Sequence, residues 1–180
     1  MFEDSIHYPQ LTQLQSHWQD MRDEVMEILF AAHEMFDKRA DHGWFILPLL
    51  VEPEDFGVFP DRTIARARGY VPNLCDRVDR IERLHAYALS ILNPSAKIKP
   101  HTHRNPFASA SICLSGCEGA ILNVDNATHT FTDGSMVIFD YRRLHSVTNM
   151  GSARRVALVV AVDLAHNSMN DHLPHNLPLL

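Results

Sequence analysis

Cysteine is nearly absent from the 180 residues: Cys75, Cys113 and Cys117 are the only three. Cys113 and Cys117 are not spaced as a CxxC pair, and no second pair completes a thiolate zinc site. Each reads as a buried apolar residue, and such sparse usage fits a reducing cytoplasm. Seven glycines and ten prolines are too few for a low-complexity or collagen-like chain. Basic charge is in deficit, with 16 Lys and Arg against 22 Asp and Glu and a formal net charge of −6. A nucleic-acid partner, which needs a net basic face, is therefore not expected. No apolar run approaches the ~20 residues of a membrane-crossing helix. Met1-Phe2-Glu3-Asp4 has neither the basic start nor the apolar stretch of a signal peptide. A cytoplasmic protein with no membrane partner is expected.

Hydrophobic residues make up 46% of the chain, enough for one core, and nothing in the composition marks a linker. A single domain over 1–180 is expected, in three parts. Residues 1–83 are mostly helical and mixed, 84–165 form the core, and 166–180 are a tail. Leu11, Leu14, Trp18, Met21, Val25, Ile28, Ala32 and Met35 recur at steps of three and four, predicting one helix over 11–35. Thr12 to Gln15 offers a capping box, and Lys38, Arg39 and Gly43 offer an end. Trp44 to Val51 is an apolar run broken by Pro48, and Glu52 to Asp55 reads as a turn. Residues 73–83 read as a short helix. From Leu84 on, runs of about five to nine residues alternate with turn chemistry such as Asn93-Pro94, Ser115-Gly116 and Asp133-Gly134. The predicted fold is mainly β with flanking N-terminal helices: a double-stranded β-helix, or cupin-like jelly roll.

Twelve histidines are the compositional excess. His101 and His103 are two apart, so on extended chain both face one side. His145 follows the apolar run Val137 to Phe139 and a short connection. Neutral imidazoles suit iron, zinc, nickel or copper. Singly, each histidine also reads as a loop or core residue. Arg155 adds weight because it begins the otherwise apolar strand Arg155 to Val162. A buried guanidinium without an anionic partner costs several kcal/mol. A three-residue turn, Asn149-Met150-Gly151, with Gly151 left-handed, would set His145 opposite Arg155 across a hairpin ladder. The pair calls for a small anion touching both; the plainer alternative pairs Arg155 with Asp140 or Asp163.

Ser90 to Pro94, then Pro100-His101-Thr102, then Asp133 to Asp140, His145 and Arg155 together resemble the aspartyl/asparaginyl β-hydroxylase family. The resemblance covers roughly residues 70–163, and more weakly Asp23-Glu24 and Trp44. It implies an Fe(II)- and 2-oxoglutarate-dependent dioxygenase acting on an aliphatic carbon of a small aspartyl/asparaginyl-like or related amino-acid substrate. His101 and His145 would be iron ligands, and Arg155, assisted by Ser90, would hold the distal carboxylate of 2-oxoglutarate. His103 stands where the family typically has glycine; a third ligand, a donor behind the ligands and a substrate contact are all open to it. Ala110 and Ile112 stand where the family offers arginine and histidine toward the co-substrate, leaving Arg104 or Arg143 to replace them. Arg62, Arg66 and Arg68 form a basic group that either meets a substrate carboxylate or is a solvated face. His101-Thr102-His103 also matches the metal-binding cupin motif, whose expected glutamate is absent at Phe107-Ala108. That rival implies a three-histidine dioxygenase independent of 2-oxoglutarate, an isomerase, or a non-catalytic ligand sensor. The oligomeric state is open, a homo-oligomer included.

Overall fold

A computed structural model describes residues 2–31, 37–38, 43–51 and 61–165. The N-terminal apolar period forms two helices, α1 (Pro9–Gln15) and α2 (Trp18–Ala31). Pro9 starts α1 with its φ already helical, and Tyr8 is the N-cap. Thr12 therefore lies inside the helix, where its hydroxyl donates to the Tyr8 carbonyl, 3.4 Å. The single predicted helix breaks at Ser16, whose Oγ donates to the Gln13 carbonyl (2.6 Å) and competes with the backbone ladder. Leu11, Leu14, Met21, Val25 and Ile28 are nonetheless buried in one cluster, so the packing face survives the break.

Strand β1 (Asp37–Lys38) pairs with β2 (Trp44–Leu50), so Lys38 belongs to a strand and not to a helix end. The positions predicted for helix at 32–36, the turn at 52–55 and the tail at 166–180 lie outside the described residues. Two further helices follow, α3 (Asp61–Tyr70) and α4 (Pro72–Val78). The first was not expected, and the second ends earlier than its pattern implied. Arg68 on α3 donates to the Leu49 carbonyl (3.2 Å) and contacts Asp79 and the Tyr87 hydroxyl, tying helices to sheet.

Eight strands follow among the described residues: β3 (Leu84–Leu92), β4 (Lys97–His101), β5 (Phe107–Ser115), β6 (Ala120–Val124), β7 (Ala127–Thr130), β8 (Met136–Asp140), β9 (His145–Asn149) and β10 (Arg155–Asp163). They form two antiparallel sheets, ordered β1-β2-β3-β10-β5-β8 and β4-β9-β6-β7. The expected jelly roll is thus present. Its helices cover the outer face of the larger sheet, which explains why β10 is apolar on both faces. Val156, Leu158, Val160 and Val162 meet the helices, whereas Ala157 and Ala161 face the second sheet. The turn before β8 docks on the helices through Gly134, whose φ of +78° suits glycine. A Cβ there would lie 2.7 Å from Trp18 Cε2, and Gln15 Nε2 donates to the Gly134 carbonyl at 2.8 Å.

The predicted β9–β10 hairpin is not formed. β9 pairs with β4 and β6, while β10 pairs with β3 and β5 in the other sheet. The jelly-roll connection carries the chain across the sandwich here, and Gly151 is not left-handed.

Candidate functional site

A cavity of about 310 Å³ lies between the two sheets. Its walls bring together the side chains singled out above: Ser90, His101, His103, His145 and Arg155. His101 and His145 are direct partners in the β4–β9 register. Their rings are 4.2 Å apart, and His103, just past the end of β4, lies 5.1 and 5.5 Å from them. One ligand nitrogen from each of the three falls within 4.8 Å of the others, close enough to hold a metal ion.

Local hydrogen bonds prepare two of these rings. His101 Nδ1 lies 2.8 Å from the Lys99 carbonyl, and His145 Nδ1 lies 2.7 Å from that of Arg143. A carbonyl only accepts, so each Nδ1 carries the proton and each Nε2 keeps its lone pair for an ion. Burial pushes the His145 pKa down to about 4, partly opposed by the Arg143 carbonyl and assisted by its two histidine neighbours. Burial, with His101 nearby, also takes His103 down to about 4. Both are therefore neutral at pH 7, the form that binds metal. The three-imidazole set fits iron, zinc, nickel or copper.

Arg155 reaches the cavity from the larger sheet and is 2% exposed. Its Nη2 donates to Ser111 Oγ (2.8 Å), and its guanidinium lies 4.6 Å from the Phe131 ring centroid. Its Nε is buried with no hydrogen-bond partner among the described residues. The two acids expected as alternatives are engaged elsewhere, Asp140 with Arg142 (2.7 Å) and Asp163 with His85 (2.5 Å). Ser90 Oγ accepts from Trp44 Nε1 at 3.1 Å, which leaves the serine proton to be donated elsewhere. All three cysteines are buried and free. Burial alone would raise the Cys113 thiol, yet Cys117 and the Arg155 guanidinium bring it below the ordinary value.

The sequence placed Arg155 and His145 on one cavity by the wrong route, since they face each other between sheets and not along a ladder. It also misassigned the inward positions of β5. Ala110 and Ile112 face the helices, and the cavity sees Ser109 and Ser111. Serines at alternate positions of an otherwise apolar run were the available signal. Arg143 instead pairs with Asp125 (3.2 Å), and neither it nor Arg66, Arg68 or Arg104 lines the cavity. Tyr141, which stacks on His103, was not foreseen.

A jelly roll with three converging histidines on its inner wall defines a cupin-like fold whose histidine cluster could hold a metal ion. Within that class, the chain belongs to the aspartyl/asparaginyl beta-hydroxylase family, whose sequence profile matches residues 15–166. It is thereby a hydroxylase-like oxygenase by family. No curated protein matches the sequence. Among solved structures, KdgF from Halomonas sp. is 10% identical, with 74% of this chain and 90% of that one covered and a TM-score of 0.45. The Schizosaccharomyces pombe Cnp3 cupin domain is also 10% identical, with coverages of 72% and 68% and a TM-score of 0.45. The cupin domain of an XRE-family transcriptional regulator from Enterobacter cloacae is 14% identical, with coverages of 68% and 99% and a TM-score of 0.43. No helix among the described residues is long and apolar enough to cross a membrane.

Proposed function

We propose that this protein is an Fe(II)- and 2-oxoglutarate-dependent dioxygenase that hydroxylates an aliphatic carbon of a small aspartyl/asparaginyl-like or related amino-acid substrate. The observation that carries this reading is Arg155: a guanidinium 2% exposed, without a carboxylate partner among the described residues, in the same cavity as the three histidines. A buried unpaired cation is costly, and a carboxylate arriving with the co-substrate offsets that cost. His101, His145 and His103 would hold the iron, the first two through nitrogens whose protonation is set by backbone carbonyls. Arg155 would grip the distal carboxylate, using its unpartnered Nε and an adjacent Nη, and Ser90 would donate its proton to the same group. Ile46, Leu122, Val147 and Val159 exclude water around it, which strengthens the ion pair. When bound, ferrous iron, the keto acid and dioxygen supply the oxidation, placing one oxygen atom on the substrate and the other in succinate as carbon dioxide leaves.

The third histidine favours a second reading, a three-histidine dioxygenase that needs no 2-oxoglutarate. One experiment separates them: anaerobic titration of the Fe(II)-loaded protein with 2-oxoglutarate, followed by visible absorption. The first reading expects a charge-transfer band that disappears in Arg155→Ala. Iron uptake without a band, together with oxygen consumption on a substrate, overturns it in favour of the second.

A further inference from the structure

His101 and His145 are oriented by paired strands and by the carbonyls two residues before them. His103 is placed by a different device. It lies beyond the end of β4, and its backbone N–H donates to the Tyr141 carbonyl at 3.3 Å. Its ring lies flat on the Tyr141 ring, with centroids 3.6 Å apart and planes 8° from parallel. Tyr141 is the better anchored of the two. It is 6% exposed, and its own N–H donates to the Phe107 carbonyl at 2.9 Å. It directly follows β8, whose Phe139 lies on the same face, 4.9 Å from the His145 ring.

We propose that Tyr141 is the positioning residue that makes His103 a metal ligand, by holding the imidazole plane so that its lone pair meets those of His101 and His145. The inference rests on the metal reading of the cluster but not on 2-oxoglutarate. An imidazole lone pair lies in the ring plane, so whatever fixes that plane confines the bond to it, and the tethered main chain sets its heading within the plane. A parallel face at van der Waals distance resists rotation out of the plane, and the backbone bond holds the histidine's main chain to the same residue. Tyr141 thus does for an irregular segment what the β4–β9 ladder does for the other two ligands. The ring face is the operative part, and the hydroxyl is dispensable to it.

The test is titration of the metal-free protein with cobalt(II) alone, without keto acid or oxygen, read by affinity and by the visible ligand-field spectrum. Tyr141→Phe is expected to bind within about twofold of the parent with the same spectrum. Tyr141→Leu is expected to weaken binding about 10- to 100-fold, the range for residues that orient ligands, and to give the spectrum of His103→Ala. The double variant Tyr141→Leu/His103→Ala is expected to bind no more weakly than His103→Ala. Tyr141→Met repeats the comparison should the leucine variant not fold. Parental binding by the leucine or methionine variant overturns the proposal. So does a phenylalanine variant that fails to rescue, full additivity in the double variant, or a His103→Ala protein with unchanged affinity. None of these results touches the 2-oxoglutarate reading, which the Arg155 titration decides separately.

Discussion

His101 and His145 stand opposite one another in the β4–β9 register and make the same local hydrogen bond, Nδ1–H to the carbonyl two residues earlier. The two rings are therefore set in one tautomer by backbone alone, before any ion arrives. Substitution of either ring by alanine is expected to reduce metal affinity by at least 100-fold. Calorimetric titration with zinc or ferrous iron checks this. Parental affinity in both variants would remove the metal centre from any account of the protein.

Arg155 gives an unusual expectation for stability. Its charge is buried beside Ser111, Phe131 and the Cys113 thiol, with no carboxylate partner among the described residues. Replacing a buried charge of this kind by an apolar side chain of similar length is commonly neutral or stabilising by about 1–4 kcal/mol. Arg155→Met is expected to unfold at the same or a higher urea concentration while losing 2-oxoglutarate binding. A loss of more than about 2 kcal/mol would mean that the arginine serves the fold.

The buried histidines impose a pH dependence on the metal-free protein. His103 and His145 bind their protons less readily when folded, with pKa values of about 4, than in the unfolded chain at about 6.5. Below pH 6.5 the unfolded state holds more protons, so stability is full above that value and falls as the pH drops toward 4. Each histidine contributes at most about 1.4 kcal/mol per pH unit across that window, and the partly exposed His103 less because solvent screens it. Urea melts at pH 7, 5.5 and 4.5 are expected to show a shallower pH slope in the His103→Ala/His145→Ala double variant. An unchanged slope would exclude these groups as its cause.

At Gly134, φ is +78° and a Cβ would meet the Trp18 indole. Gly134→Ala is expected to cost about 1–3 kcal/mol by strain and displacement. Metal affinity at the far side of the sheet is expected to change less than twofold. A thermal melt and a zinc titration on the same sample check both halves.

Much of this was legible in the residues. The alternation of apolar and polar positions marked the strands, and 120–124 was placed to the residue. The ordered series of turns marked the jelly roll. The β4 strand was hidden because Lys97-Ile98-Lys99-Pro100 is charged and carries a proline, as a short edge strand permits. The β9–β10 connection was misread because neighbouring strands in sequence are ordinarily neighbours in a sheet, a rule that a jelly roll breaks at each crossing. The inward parity of β5 was missed by one residue, since the register depends on pairing with β8 and β10 and not on local pattern. Tyr141 gave no signal at all: its role appears only when the segment after β4 folds back upon it.

The two ends of the cavity differ in how firmly the scaffold grips them. Arg155 opens an interior strand held between β3 and β5, and its guanidinium is fixed against Ser111 and Phe131. The histidine side is built from a border strand and the irregular stretch after it, held against a single tyrosine. Variation across 102–106 could therefore reshape the mouth and the third imidazole without disturbing Arg155. On the proposed reading, such a scaffold would keep its hold on the co-substrate while the choice of what is oxidised is free to drift.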